Sequence, residues 1–323
     1  MTLIVFLSAA LLLPIAQTEV YDPLLVDEQV TIVDAQFSYG DDNRIVPMRL
    51  YLPKSTEATP VILYSHGLGG SRDAGTFLGK HWAGRGYVVV TMQHAGSDQS
   101  VMEGIPLRQK LDALKKAANA TSAQARYRDV KATLDHLDSL NRPGGKYAAR
   151  FDLTKIGMGG HSFGAVTTQA VSGQSFGRRG QQHTDKRIDA AVALSPSPPS
   201  FGSASDAFGS VSIPWLLMTG TEDASMLART TPEKRREVFQ HLPQSGQFYE
   251  LLLDGAKHEA FADERTNRFR SRLSRNPNHH KAIKAISTAF WDTYLKDDDN
   301  AKAWLNSNDA KDVLEPADVW QKK

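Results

Sequence analysis

One pentapeptide in the chain has residue types and an order that suit covalent catalysis: Gly160-His161-Ser162-Phe163-Gly164. It follows the apolar run Lys155–Gly159 and precedes the helix-forming stretch Ala165–Ser172. That setting predicts a sharp strand-to-helix turn that pushes a serine into the open. The turn is tight, so its flanking positions need small residues, and the helix N-terminus behind it favours negative charge. Ser162 is the candidate nucleophile, with a structural glycine-rich turn as the plain alternative. The overlapping Gly157-Met158-Gly159 resembles the start of a dinucleotide fingerprint, but Ser162 stands where the third glycine belongs. The next apolar run ends in Ala193-Leu194-Ser195, without the acidic residue such a site uses. No cofactor is expected.

A serine hydroxyl attacks a carbonyl only when a base takes its proton and a carboxylate orients the base. For this turn type the chain order is serine, acid, histidine. His258 lies just past the apolar run Tyr249–Leu253 and is the candidate base. His241, His279 and His280 read as ordinary surface residues. The acid should end the preceding strand. Trp215–Thr219 runs into Gly220-Thr221-Glu222-Asp223, which makes Asp223 the candidate, Glu222 its main rival and Asp254 a weaker one. The developing oxyanion needs two backbone N–H donors. Phe163 should supply one. The other should come from His66-Gly67-Leu68-Gly69-Gly70, after the run Val61–Ser65. Leu68 is the expected donor and Gly69 its competitor, while His66 is expected to fix the loop.

These groups need a scaffold that delivers them to one edge. Val30–Tyr39 and Arg44–Leu52 alternate polar and apolar residues around the turn Gly40-Asp41-Asp42-Asn43, so they predict an antiparallel hairpin. Six short runs without alternation follow: Val61–Ser65, Tyr87–Gln93, Lys155–Gly159, Ala190–Ser195, Trp215–Thr219 and Tyr249–Leu253. Such runs suit strands buried on both faces of a parallel sheet. Helical stretches at Phe77–Arg85, Ala123–Leu140, Ala165–Ser172, Pro232–His241 and Ala282–Leu295 separate several of them. The expected class is therefore α/β: a mainly parallel sheet with an N-terminal antiparallel hairpin and helices on both faces. Residues 96–122 depart from this economy and include a basic helical stretch, Leu107–Ala118. They are either a pocket-lining insert or a solvated surface helix.

Composition narrows the remaining choices. The 323 residues include 38 Lys and Arg against 36 Asp and Glu, a net charge of +2 that offers nothing to nucleic acid. The absence of cysteine excludes disulfides, thiolate metal sites and a cysteine nucleophile. No His/Asp/Glu grouping has metal-ligand spacing, and Asp297-Asp298-Asp299 reads as a solvated helix end. Thr2–Ala16 is uncharged and short for a membrane span, which suits a signal peptide over residues 1–16. A missing basic residue before it and Pro14 within it leave a buried strand or a membrane anchor as alternatives. The expectation is a secreted or periplasmic protein with one domain over residues 17–323 and no stable membrane insertion. Asn119-Ala120-Thr121 is formally a glycosylation sequon.

The motifs at 66–70, 160–164, 220–223 and 254–258, with the stretch Arg128–Leu140, resemble those of dienelactone-hydrolase-like and platelet-activating-factor-acetylhydrolase-like esterases of the α/β-hydrolase superfamily. The resemblance spans about residues 30–295. It implies hydrolysis of small-molecule or polymeric carboxylic esters through an acyl-enzyme, without metal or organic cofactor. In the acetylhydrolase branch the acid follows the strand directly after the elbow. The matching residues 190–198 carry no carboxylate beyond that strand, which favours Asp223. The placement of residues 220–223 is also similar to bacterial cutinases and polyester hydrolases. A binding protein on a hydrolase scaffold, or a peptidase, are the rival readings.

Overall fold

The computed structural model describes residues 20–27, 29–225, 230–263 and 276–323. The expected leader, residues 1–16, lies outside them. The hairpin forms as the alternation predicts: β1 (Val30–Tyr39) pairs antiparallel with β2 (Arg44–Pro53) from Val30↔Pro53 to Tyr39↔Arg44. Gly40 and Asn43 adopt positive φ in the turn between them.

The unbroken apolar runs become interior strands. These are β3 (Thr59–Ser65), β4 (Val88–Met92), β5 (Phe151–His161), β6 (Ala190–Leu194), β7 (Trp215–Glu222) and β8 (Phe248–Lys257). With β9 (Val319–Lys322) they build one sheet in the order β1-β2-β4-β3-β5-β6-β7-β8-β9. Every pair from β4 through β8 is parallel; β2 joins β4, and β9 joins β8, antiparallel. The strand side chains split by parity between two apolar layers. Ile62 and Tyr64 of β3 pack in one and Val61 and Leu63 in the other.

The helices are α1 (Thr76–Gly84), α2 (Leu107–Ala117), α3 (Ala120–Asn141), α4 (Phe163–Val171), α5 (Ala204–Phe208), α6 (Pro232–Gln240), α7 (Pro277–Leu295) and α8 (Asp299–Asn306). On one face α1 and α7 bring Leu78, Trp82, Ile283, Ile286, Phe290 and Trp291 onto the sheet. On the other, α3 contributes Tyr127, Val130, Leu134 and Leu137, while α4, α5 and α6 cover β6 and β7. A mostly parallel sheet in this order, with the leading hairpin and helices on both faces, is the α/β-hydrolase fold.

Two elements escape the apolar-run pattern. β9 has only four residues and alternates weakly, and α8 takes its start from Asp298, whose carboxylate caps the Asn300 and Ala301 amides at 2.8 and 3.1 Å. The acidic run 297–299 is therefore a helix beginning rather than only a solvated helix end. β5, β7 and β8 each run farther toward the site than their apolar cores suggest.

One buried carboxylate ties the edge of the molecule together. Asp292 on α7 accepts hydrogen bonds from Tyr87 and Tyr21 hydroxyls, both at 2.7 Å, and from Arg85 at 2.8 Å. Burial works against its ionisation, but the charges of Lys296 and Arg85 and the Tyr87 hydroxyl outweigh that and lower its pKa. Removing it leaves the Tyr21 and Tyr87 hydroxyls without this acceptor and takes from Arg85 its carboxylate partner, leaving it only the Asp22 and Leu25 carbonyls. Asp292→Ala should therefore lose about 3–5 kcal/mol of stability, read as a fall in denaturant midpoint; an unchanged midpoint would contradict the role given to Asp292.

Candidate active site

The turn after β5 is shaped by contacts that exclude any side chain. A Cβ on Gly160 would lie 2.4 Å from the Gly164 carbonyl oxygen, and one on Gly164 would lie 1.9 Å from that of Ser65. Glycine at both positions lets α4 start directly against the end of β3. Ser162 is left at φ 58°, ψ −115°, a conformation that non-glycine residues rarely adopt. Its amide donates to the Leu194 carbonyl at 2.9 Å, which fixes the turn to β6.

His258 and Asp223 converge on this serine. The Ser162 hydroxyl lies 2.9 Å from His258 Nε2, and His258 Nδ1 lies 2.7 Å from Asp223 Oδ1. With the carboxylate as acceptor, Nδ1 carries the proton and Nε2 is left to accept from the serine. Asp223 is fully buried, and its second oxygen accepts from the Thr219 hydroxyl at 2.9 Å. Arg235 on α6, 1 % exposed, approaches the same carboxylate at 3.0 Å and donates to the Asp223, Ser195 and Pro196 carbonyls at 2.8–2.9 Å. Burial pushes the Asp223 carboxyl up, but the His258 hydrogen bond and the Arg235 charge outweigh it and hold its pKa below the usual range. His161 donates from Nε2 to the His258 carbonyl at 3.1 Å, and burial lowers its pKa to about 3, so it stays neutral beside His258.

The rivals for the acid point elsewhere. Glu222 is exposed and pairs with Lys257 at 3.4 Å, and Asp254 is exposed and accepts from the Thr221 hydroxyl. In the glycine-rich loop, the Gly69 amide donates to the Ser97 carbonyl at 2.9 Å. The amides of Leu68 and of Phe163, the first residue of α4, have no hydrogen-bond partner among the described residues. His66 holds the loop: its Nδ1 donates to the Gly67 carbonyl at 2.6 Å and its Nε2 accepts from the His94 amide at 3.1 Å. Within residues 96–122, Leu114 of α2 and Met102 pack so close to Gly69 that a Cβ there would meet them at 2.7 and 3.0 Å.

Beneath the loop lies a polar cluster that motif reading missed. His94 Nδ1 donates to Asp129 at 2.9 Å, and its Nε2 accepts from the Ser65 hydroxyl at 2.9 Å. All three are fully buried, so this serine–histidine–aspartate line has no access to substrate. Arg44 and Tyr39 also bond Asp129. Arg126 and Asp129 sit on α3 in line with Val130, Thr133 and Leu137, and Arg235 stands one turn before Val238 and Phe239. A charged residue in register with an apolar helical stripe was the available signal.

Other expectations are corrected. His279 is not a surface residue: it is 5 % exposed and donates to the Asp254 carbonyl at 2.9 Å. His280 is half-buried and stacks on Phe77 at 4.0 Å. Asn119 acts as the N-cap of α3, accepting from the Ser122 amide at 2.9 Å. Among the described residues, no three His, Cys, Asp or Glu side chains group as metal ligands, and no helix is long and apolar enough to cross a membrane.

Gly164→Ala sets a methyl group against a backbone oxygen that cannot swing away, so it should lower stability by more than ~3 kcal/mol or prevent folding. A melting temperature near that of the parent would refute the close approach. Burial lowers the pKa of His66 well below the usual range, of His81 and His94 to about 4, and of His161 to about 3. Each binds a proton in the unfolded chain but not in the folded one as pH falls below about 6.5. Stability present at pH 7 should then drain away toward pH 4, at roughly 1 kcal/mol per histidine per pH unit. Denaturant midpoints at pH 7, 6 and 5 test this; a flat series would contradict it.

Residues 33–139, about a third of the chain, match the family profile described as platelet-activating factor acetylhydrolase, isoform II. The matched stretch contains most of the hairpin, the loop at 66–70 and most of α3, and ends before the elbow. No curated protein matches the chain. The match supports an ester hydrolase of the serine-hydrolase type, and the similarity to cutinases has no counterpart in it. The chain is thus an α/β-hydrolase-fold protein similar to platelet-activating factor acetylhydrolase, isoform II, over residues 33–139.

Proposed function

We propose that the protein cleaves carboxylic esters through an acyl-enzyme formed on Ser162. The observation that carries this reading is the hydrogen-bonded line from the Ser162 hydroxyl through His258 to buried Asp223, at 2.9 and 2.7 Å. His258 takes the serine proton as the oxygen attacks the ester carbonyl, and Asp223 stabilises the imidazolium that results. The amides of Leu68 and Phe163 hold the oxyanion; the commitment of the Gly69 amide to Ser97 favours Leu68 over its neighbour. Protonated His258 then returns its proton to the leaving alkoxide. Water, deprotonated by the same imidazole, releases the acid and restores Ser162.

A preference for apolar esters finds support in the insert at residues 96–122, which contacts the loop at Gly69 and leaves Leu107 84 % exposed. Lipid-like and polyester substrates both fit that chemistry.

Ser162→Ala should keep the fold and reduce turnover of a p-nitrophenyl ester by ~10,000-fold or more. Parent-like turnover would end the assignment. Asp223→Asn should reduce kcat by ~10,000-fold, whereas Glu222→Gln should leave it within about twofold; the reverse ranking would move the acid to Glu222. A fluorophosphonate probe should label Ser162 in the folded parent. Absence of labelling would favour a binding protein on a hydrolase scaffold.

A further inference from the structure

Arg126 lies at the centre of the cluster beneath the glycine-rich loop, and it is fully buried. Its Nη1 donates to the His66 carbonyl at 2.6 Å and to the Ser65 hydroxyl at 3.3 Å. Its Nε donates to the Ser97 hydroxyl at 2.8 Å, and its Nη2 reaches the Ser97 carbonyl at 3.4 Å. The guanidinium carbon lies over the Phe163 ring, 4.4 Å from its centroid. Burial lowers the Arg126 pKa to about 9, which leaves it charged at neutral pH. Among the described residues it has no paired carboxylate; Asp129 and Asp98 act on it only at longer range.

A buried, unpaired guanidinium is costly, so its partners indicate what it does. They belong to the two segments that carry the proposed oxyanion-hole amides: the loop around Leu68 and the first residue of α4. Leu68 is bracketed by the His66 carbonyl, which Arg126 holds, and by Gly69, whose amide shares the Ser97 carbonyl with Arg126. Phe163 provides the second amide, and its side chain is stacked on the same cation. A planar fork with five donors can hold carbonyls from two loops and a ring at once, which an ammonium cannot do.

We propose that Arg126 is the positioning residue of the oxyanion hole, setting the Leu68 and Phe163 amides against each other and adding positive charge behind them. The proposal rests on the serine-hydrolase reading above. Arg126 stays behind the loop, out of contact with the ester, and acts through the two amides. Its loss should therefore weaken the bound oxyanion more than the bound ester.

The test compares the parent with Arg126→Met and Arg126→Lys. Sites are first titrated with a fluorophosphonate, so that kcat refers to labelled serines. In Arg126→Met, kcat per titrated site should fall about tenfold to a hundredfold while KM for a p-nitrophenyl ester stays within about twofold. The Ki of a trifluoromethyl ketone, whose serine adduct carries an oxyanion, should rise by the same factor. Arg126→Lys should recover part of both losses. A structural role alone would lower the titratable fraction and the melting temperature but leave kcat per labelled serine unchanged, and that result overturns the proposal. If Arg126→Met does not fold, the lysine variant decides. A loss of about threefold or more in kcat per site, matched in Ki, supports the role, and parent-like values sink it. An unlabelled parent would defeat the serine-hydrolase reading and this inference with it. A labelled, active parent matched by both variants defeats the Arg126 role alone.

Discussion

The contact on which the rest of the molecule depends is the approach of the Gly164 backbone to the Ser65 carbonyl. Two chain segments meet there without room for a single methyl group. One is the end of β3 as it becomes the glycine-rich loop, and the other is the first turn of α4. Their contact holds the start of α4 against the loop at 66–70, with Ser162 at positive φ in the turn before it. The strain at Ser162 is held by the helix on one side and the sheet on the other, with the Leu194 carbonyl fixing its amide. Close packing of this kind makes the geometry of the site a property of the backbone, so it needs no ligand to form.

Around that contact the protein buries two arginines and two aspartates. Arg235 shares Asp223 with His258, and Arg126 faces carbonyls and an aromatic ring. In the proposed mechanism the two cations have opposite relations to the same event. A positive charge behind the oxyanion favours the charge that develops there. A positive charge beside Asp223 keeps the carboxylate ionised and oriented, but it also lies 3.3 Å from the imidazole that must become positive. The donations of Arg235 to the Ser195 and Pro196 carbonyls, beyond its contact with the acid, indicate that its main work is to hold the ends of β6 and β7 together.

Much of this was legible in the residues. The unbroken apolar runs mark the interior strands, the alternating pair marks the hairpin, and chain order selects one histidine, which bonds Ser162, and one carboxylate, which bonds that histidine. Strand periodicity and turn chemistry are local, so they can be read without the fold. The buried arginines, His94 and Asp129 could not be read that way. Their significance lies in partners 12 to 90 positions away, which only the fold brings together. His279 was misjudged for the same reason: a polar residue near a helix start resembles solvent-facing chain until the Asp254 carbonyl is placed beside it. The strands also ran past their apolar cores because backbone pairing continues after side-chain burial has ended, as at Glu222↔Lys257.

The strand order carries a consequence for how the molecule comes into being. Ser162 and His258 are 96 positions apart, and β6 and β7 separate the strands that deliver them. Each intervening pairing is parallel and closes only after a crossover has been laid down, which makes such contacts late and slow. A chain halted after β6 would already possess the strained turn and the loop at 66–70, yet nothing to draw a proton from the serine. Hydrolytic competence would thus appear abruptly, with the last interior strand, rather than growing in proportion to secondary structure. If His258 is the base of the proposed mechanism, the Ser162 hydroxyl gains that partner only once β8 and the residue after it are in place.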